Sequence, residues 1–249
     1  MTRRRWIAEK WDEGTATLEG AQAEHMIRVL RAQPGVEADV VAGGRVFHSV
    51  VASISDGDHA RKAEVRFNLI AEVESEPAMP VTVVMSIFKF DHMEWAIEKA
   101  TELGVAGVVP VIARRTEKHL AQAAMKRAER WRRIAQEAAQ QSRRSDVPVI
   151  HDPMKLSDYV KGASNAKRIV LAEQERSTTL RTALQEAIGA AGAEMPELEF
   201  AIGPEGGWAP EEEALFDANG WLAVSLGPRI LRAETAAIVA LAVVSSMLE

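Results

Sequence analysis

The chain has 249 residues, 47% hydrophobic, 27% charged and 5% aromatic, which fits one large globular domain or two modest ones and excludes disorder or a fibrous repeat. Its formal charge of −6 argues against a general polyanion binder, and the absence of cysteine removes thiol catalysis, thiolate metal sites and disulfides. The N-terminus lacks the apolar core of a signal peptide, and the longest apolar run, Ala236–Val244, is far short of the roughly 20 residues of a membrane span, so a soluble cytoplasmic protein is expected.

In chain order, Val36–Val41, Arg45–Ile54 and Lys62–Val73 read as strands, separated by turns at Gly43-Gly44 and Asp56-Gly57-Asp58. A helical stretch, Ala21–Leu30, interrupts them, with Ile27 and Leu30 facing the core. A small β-barrel or sandwich over residues 1–74 is expected, followed by a polar, proline-bearing linker over 75–80. Past Pro80 the rhythm changes. Val81–Ile87 is a buried-strand run, and Asp91-x-x-Glu94 has the spacing of a capping box at a helix start. That helix carries Met93, Ala96, Ile97, Ala100 and Leu103 on one face and stops at Gly104. Strands are predicted at Val108–Ile112, Val147–Ile150, Arg168–Ala172, Leu198–Gly203 and Leu222–Leu226. Helices are predicted at Ala121–Gln141, Thr178–Ala190, Pro210–Ala218 and Ala233–Leu248. Strands alternating with helices imply an α/β domain over 81–249, built on a largely parallel sheet covered on both faces.

Charge is unevenly distributed. Val111–Arg144 carries a local excess of seven positive charges, and residues 195–249 an equal excess of negative ones. On the long helix Ala124, Ala128, Trp131, Ala135 and Ala138 make the buried face, while Lys126, Arg127, Arg130 and Arg133 project elsewhere. A solvated face is the ordinary explanation of such a run. With few acids at helical spacing to pair these bases, a phosphate-contacting surface is the functional one.

No Walker loop, dinucleotide fingerprint, nucleophile elbow or zinc-protease helix is present. The histidines (His25, His48, His59, His92, His119 and His151) have no ligand-like spacing, and no metal site is expected. Two stretches stand apart. Leu198–Gly203 breaks into Gly203-Pro204-Glu205-Gly206-Gly207-Trp208, and Leu222–Leu226 breaks into Gly227-Pro228-Arg229-Ile230-Leu231-Arg232-Ala233-Glu234-Thr235. Both loops follow the carboxyl ends of strands, where open α/β sheets bind ligands, and their glycines allow close backbone approach. Either alone reads as a tight turn; together they make a site.

These two motifs resemble those of the ribosomal RNA small-subunit methyltransferase E family. Further matching pieces are Met93-Glu94-Trp95, Glu98–Val105, the series Trp131, Ile134, Ala135, Glu137, Ala138, Gln141, Ser142 and Arg144, and Arg28-Val29-Leu30-Arg31. The resemblance spans nearly the whole chain. The family usually has Ser-Glu-Arg where this chain has Ala113-Arg114-Arg115, a lysine where His119 stands, and a small residue where Phe90 follows Lys89.

The resemblance implies an N-terminal PUA-like β-barrel for RNA and a C-terminal SPOUT-type domain with a deep trefoil knot, in a homodimer. The implied reaction is transfer of methyl from S-adenosylmethionine to N3 of a uridine in 16S rRNA of the small ribosomal subunit. The methyl donor is expected against three loops, at Leu171 and Ala172, at Ile202, Gly203, Pro204, Glu205, Gly206 and Gly207, and at Leu226, Gly227, Ile230 and Leu231. RNA contacts are expected at His25, Arg28, Arg31, Lys89, Arg115 and Arg144. Because uracil N3 bears a proton at neutral pH, the chemistry wants a base or a partner for the uracil anion. Arg232 or Arg229 is the expected anion partner and Glu205 or Glu234 the expected proton acceptor. No histidine falls within the motifs, which disfavours a histidine base. For Glu234 and Arg232 a structural role at the start of the last helix is the alternative. An idle RNA- or ribosome-binding factor, or a methyltransferase of another RNA, are the competing functional readings.

Overall fold

The computed structural model describes residues 5–57, 62–191 and 196–248; Arg3, Arg4, Asp58, His59, Met195 and Glu249 lie outside them. The chain divides into two units, Met1–Pro77 with Ala139–Val147, and Ala78–Ala138 with Pro148–Glu249.

In the first unit β1 (Arg5–Ile7), β2 (Lys10–Trp11), β3 (Thr15–Glu19), β4 (Glu37–Ala42), β5 (Arg45–Ser55) and β6 (Glu64–Val73) form one curled sheet in the order β1-β4-β5-β6-β3-β2. Every neighbouring pair is antiparallel except β1 and β4. Gly43 and Gly44 turn β4 into β5 with φ of +59° and +77°, the left-handed pair whose twist suits a two-residue hairpin. Period-two alternation buries Ala16 and Leu18 of β3 and Val65 and Phe67 of β6, together with Trp6 and Val40. Strands β1 to β3 were not expected from the sequence, because segments of two to five residues are too short to display a period.

The expected single helix is in fact α1 (Ala21–Glu24) running into a π-turn over His25–Val29, with the Leu30 amide donating to the His25 carbonyl at 3.2 Å. The wider turn rotates the residues at its C-terminal end. Met26 is buried, whereas Leu30, expected to face the core, is 54% exposed. Arg31 ends the segment at φ +53°.

The second unit runs β7 (Met79–Ser86), α2 (Phe90–Glu102), β8 (Val105–Ile112), α3 (Lys118–Gln141), β9 (Val149–Ile150), β10 (Met154–Lys155), α4 (Leu156–Val160), β11 (Lys167–Leu171), α5 (Leu180–Ala191), β12 (Leu198–Ile202), α6 (Pro210–Ala218), β13 (Leu222–Val224) and α7 (Ala233–Leu248). Met79 and Pro80, expected in the linker, are the first residues of β7, and the last residues of α3 group with the first unit. The sheet order is β10-β8-β7-β12-β11-β13, with β9 also on β8, and every pairing is parallel. Consecutive residues Val83-Val84 and Val108-Val109 are all buried, as two covered faces require. One face carries Val84, Val109, Val111, Val170 and Ala201 under Leu156 and Val160 of α4 and Phe216 of α6. Elsewhere α2 packs on β8, α7 on β12, and α2 and α7 on each other.

The capping box at Asp91 does not form. Helix α2 starts at Phe90 with Lys89 as an N-cap that makes no side-chain cap, and Glu94 instead accepts from Arg127 and Arg130 of α3 at 3.3 and 2.8 Å. Phe90, the departure from the family pattern, packs edge-on to Trp131 and under the Arg127 guanidinium, 4.9 Å from its ring centroid. Other residues of the basic segment are paired both by distant acids, Arg132 with Asp152 and Arg143 with Asp39, and by local ones, Arg132 with Glu129 and Arg144 with Asp146. In the acidic C-terminal segment, Glu211, Glu212 and Glu213 fill the first turn of α6, where the helix's positive end favours them.

Candidate functional site

Strands β12, β11 and β13 are parallel neighbours, so their carboxyl ends leave three loops at one edge of the sheet. With residues following β7 and β8, these loops enclose a cleft of about 510 Å³, a volume suited to a nucleoside-sized ligand. Leu171 and Ala172 line it from the first loop, Ile202, Gly203, Pro204, Glu205, Gly206 and Gly207 from the second, and Leu226, Gly227, Ile230 and Leu231 from the third. Arg229, Arg232, Glu205 and Glu234 line it as well, as do Lys89 and Arg115.

The second loop is held from several sides. Trp208 turns its ring back over Gly203, where an added Cβ would sit 3.4 Å from the indole, and donates through Nε1 to the Leu171 carbonyl at 3.1 Å. The indole then joins an edge-to-face series with Phe216 and Trp221, which fastens the loop to the sheet's buried face. Arg115, expected at an RNA contact, donates to the Gly206 carbonyl at 2.5 Å. Buried Glu212 accepts from the amides of Ala209 and Arg114 at 2.9 and 2.7 Å, tying the start of α6 to the segment after β8. Gly207 lies at φ +69°, beside Arg115 and Glu173.

In the first loop the Glu175 carboxylate accepts from the amides of Ser177 and Thr178 and from the Ser177 hydroxyl, at 2.5 to 2.9 Å. The Ser177 hydroxyl and these amides draw its pKa down to about 2 from 4.5. A depressed carboxylate stabilises the fold above its unfolded value, and the contribution fades as pH falls from 4.5 towards 2. The Ser177 and Thr178 amide resonances should therefore titrate together with a midpoint near 2, and Glu175→Gln should abolish that titration.

At the other end of the cleft Glu234 sits in the first turn of α7 with its side chain 9% exposed, and Glu205 Oε2 is 3.7 Å from Lys89 Nζ. Between them stands His92 of α2, its Nδ1 3.4 Å from Glu234 Oε1 and 4.0 Å from Glu205 Oε1. Sequence reasoning passed over His92 because it lies more than a hundred residues from either motif; only the packing of α2 against α7 delivers it. Glu173, Gln174, Arg176, Trp208 and Ser225 were also missed as lining residues, although the place of Trp208 directly after the second-loop glycines could have signalled it.

The remaining expected RNA contacts lie in the first unit. His25 opens the π-turn with its ring 6.0 Å from that of Trp6. Arg28 is exposed at 3.4 Å from Asp56, and Arg31 is exposed. Arg144 is different: its side chain is buried and its guanidinium bonds both oxygens of Asp146, so it faces the protein rather than solvent. Among the described residues no group of three or more His, Asp or Glu is placed to hold a metal ion, and no helix is long and apolar enough to cross a membrane.

Comparison with known proteins agrees with this geometry. A family model described as an RNA methyltransferase domain matches residues 74–245. The ribosomal RNA small subunit methyltransferase E of Synechocystis sp. is 34% identical over 95% of this chain and 75% of its own, and that of Bacillus subtilis 30% identical over 94% and 91%. A crystal structure of the Neisseria gonorrhoeae ribosomal RNA small subunit methyltransferase E bound to S-adenosyl methionine superposes with a TM-score of 0.80, at 26% identity over 98% of both chains. From the glycine-bearing loops around the cleft and from these matches alike, the chain belongs to the ribosomal RNA small subunit methyltransferase E family.

Proposed function

We propose that this protein transfers a methyl group from S-adenosylmethionine to N3 of a uridine in 16S rRNA of the small ribosomal subunit. The observation that carries the reading is the gathering of three loops, from β11, β12 and β13, around one cleft in a chain of this family. The residues present fit the methyl donor. Gly203, Gly206 and Gly207 bring main chain to the cleft wall, Leu226, Ile230 and Leu231 offer apolar contact, and the carboxylates of Glu173, Glu205 and Glu234 suit a cationic sulfonium and amine. When bound, S-adenosylmethionine supplies an electrophilic methyl on a positively charged sulfur. The chain's own residues orient the uracil, exclude water and manage the N3 proton and the charge left on the ring. Arg229 and Arg232 are suited to that charge.

In the same reading the first unit is a PUA-like RNA-binding domain, supported by its curled sheet and by exposed Arg28 and Arg31 flanking exposed Val29 and Leu30. The second unit is a knotted SPOUT-type domain, supported by its parallel sheet and cleft. A homodimer is supported by the partly exposed apolar residues Ile238, Val239 and Val243 on α7.

Gly207→Val tests the cradle. A β-branched residue at φ +69° costs roughly 1–3 kcal/mol of backbone strain, and affinity for S-adenosylhomocysteine, read by calorimetry, should fall about tenfold or more. The reaction itself is tested by offering labelled S-adenosylmethionine and small ribosomal subunits that lack their own modification, followed by nucleoside analysis. Label in 3-methyluridine is expected. Label in another nucleoside overturns the substrate, and no label despite tight binding favours the idle binding factor.

A further inference from the structure

Resting on the methyltransferase reading, we infer that His92 accepts the N3 proton of the target uracil and that Glu234 holds its ring in the working orientation. Both residues occupy first turns, of α2 and α7, two helices that pack against each other at the cleft. The imidazole lines the cleft with a third of its side chain exposed, and its Nδ1 faces the buried Glu234 carboxylate at 3.4 Å. The two groups are within ion-pair distance, and a small turn of the ring would place a hydrogen bond from Nδ1 on this carboxylate, keeping the ring's proton there and the lone pair on Nε2. The nearest acid to Nε2, Asp91 Oδ2, stands 3.8 Å away on an exposed side chain, outside hydrogen-bond range. The other charged groups around the ring are Glu205, at 4.0 Å from Nδ1, and Lys89, which faces Glu205; Arg229 and Arg232 line the same cleft.

The two carboxylates are poorer candidates for the acceptor. Glu205 faces a lysine, Glu234 faces the histidine, and a free carboxylate is a weaker base than imidazole by roughly two pH units. Imidazole is better matched to a proton that must leave near neutral pH. In the step, N3 attacks the methyl carbon, the C–S bond breaks with its electron pair remaining on sulfur, and the N3 proton passes to Nε2. The products are 3-methyluracil, the neutral thioether S-adenosylhomocysteine, and an imidazolium beside Glu234 that afterwards releases its proton to water.

The test is single-turnover methyl transfer across pH with the full chain and unmodified small subunits. The wild type should show an acid limb of unit slope. His92→Gln should lose that limb and, at neutral pH, about 100-fold or more in rate, with S-adenosylhomocysteine affinity within twofold. His92→Ala should regain rate with added imidazole. Independently of turnover, ¹⁵N spectra of the ligand-free protein should show the neutral ring protonated on Nδ1, and Glu234→Gln should shift that tautomer. An unchanged rate and pH profile in His92→Gln, a ring protonated on Nε2, or affinity lost in step with rate overturns the inference and leaves the methyltransferase reading standing. A wild-type protein that transfers no methyl to RNA overturns both.

Discussion

Glu199→Ala should destabilise the second unit by about 3 kcal/mol, measured by urea denaturation, because it strands a buried cation. The Arg168 Nε is 3.1 Å from Glu199 Oε2, and both side chains are close to nine-tenths buried. Its other nitrogens donate to the Val160 and Gly162 carbonyls at 3.2 and 2.8 Å, and its guanidinium lies over Trp221 at 5.3 Å. Ser164 donates to the second carboxylate oxygen at 2.6 Å, so every strong group in this cluster has a partner that depends on Glu199 or on the chain around it. Removing the carboxylate leaves the guanidinium desolvated and unneutralised. Replacing both partners, Arg168→Met with Glu199→Leu, should recover most of the loss, because paired burial itself contributes little net stability. Tyr159 supplies a second readout. It is the chain's only tyrosine, and burial first, then the Glu199 charge, pushes its pKa well above the ordinary phenol range. Phenolate absorbance should therefore appear at lower pH in Glu199→Gln than in the wild type.

Arg232→Ala should lower methyl transfer about 100- to 1000-fold while leaving S-adenosylhomocysteine affinity nearly unchanged. Arg232 precedes α7, its carbonyl accepts the Ala236 amide, and its exposed side chain lines the cleft with no ion pair among the described residues. In the proposed reaction, a cation so placed is available to the negative charge that builds on uracil oxygens as N3 gives up its proton. Arg232→Lys should retain part of the rate, since it keeps the charge but loses the planar fork. An equal loss of affinity and rate would assign Arg232 to holding α7 in place instead.

The contrast between what could and could not be read from the chain has local causes. The glycine loops were legible because each is contiguous, follows a run of buried-strand residues, and carries residue types with few other uses together. All twelve expected donor-pocket residues line one cleft for that reason. Helices α6 and α7 were legible from Pro210, the acids behind it and the apolar run of α7. The π-turn at His25 was not, because a single inserted residue leaves the apolar spacing unchanged up to Ile27 and alters only the facing of later residues such as Leu30. Nor were β10 and α4, of two and five residues, long enough to show a period.

Charge was the least legible property. Four of the ten basic residues of 111–144, Arg127, Arg130, Arg132 and Arg143, look unpaired in the sequence because their acids, Glu94, Asp152 and Asp39, come from other elements. A sequence lists charges by covalent order, whereas Coulomb attraction depends on distance in space.

By itself the sequence determined the class of the second unit, its strand-to-loop breaks and the glycines that let a ligand approach the backbone, because these depend on neighbours within a few residues. Only the tertiary structure decided that His92 would face Glu234 across two helix starts, that Arg115 would hold the Gly206 carbonyl, and that Arg143 would meet Asp39. Each joins groups whose separation is set by how helices and strands pack, and no local periodicity encodes that distance.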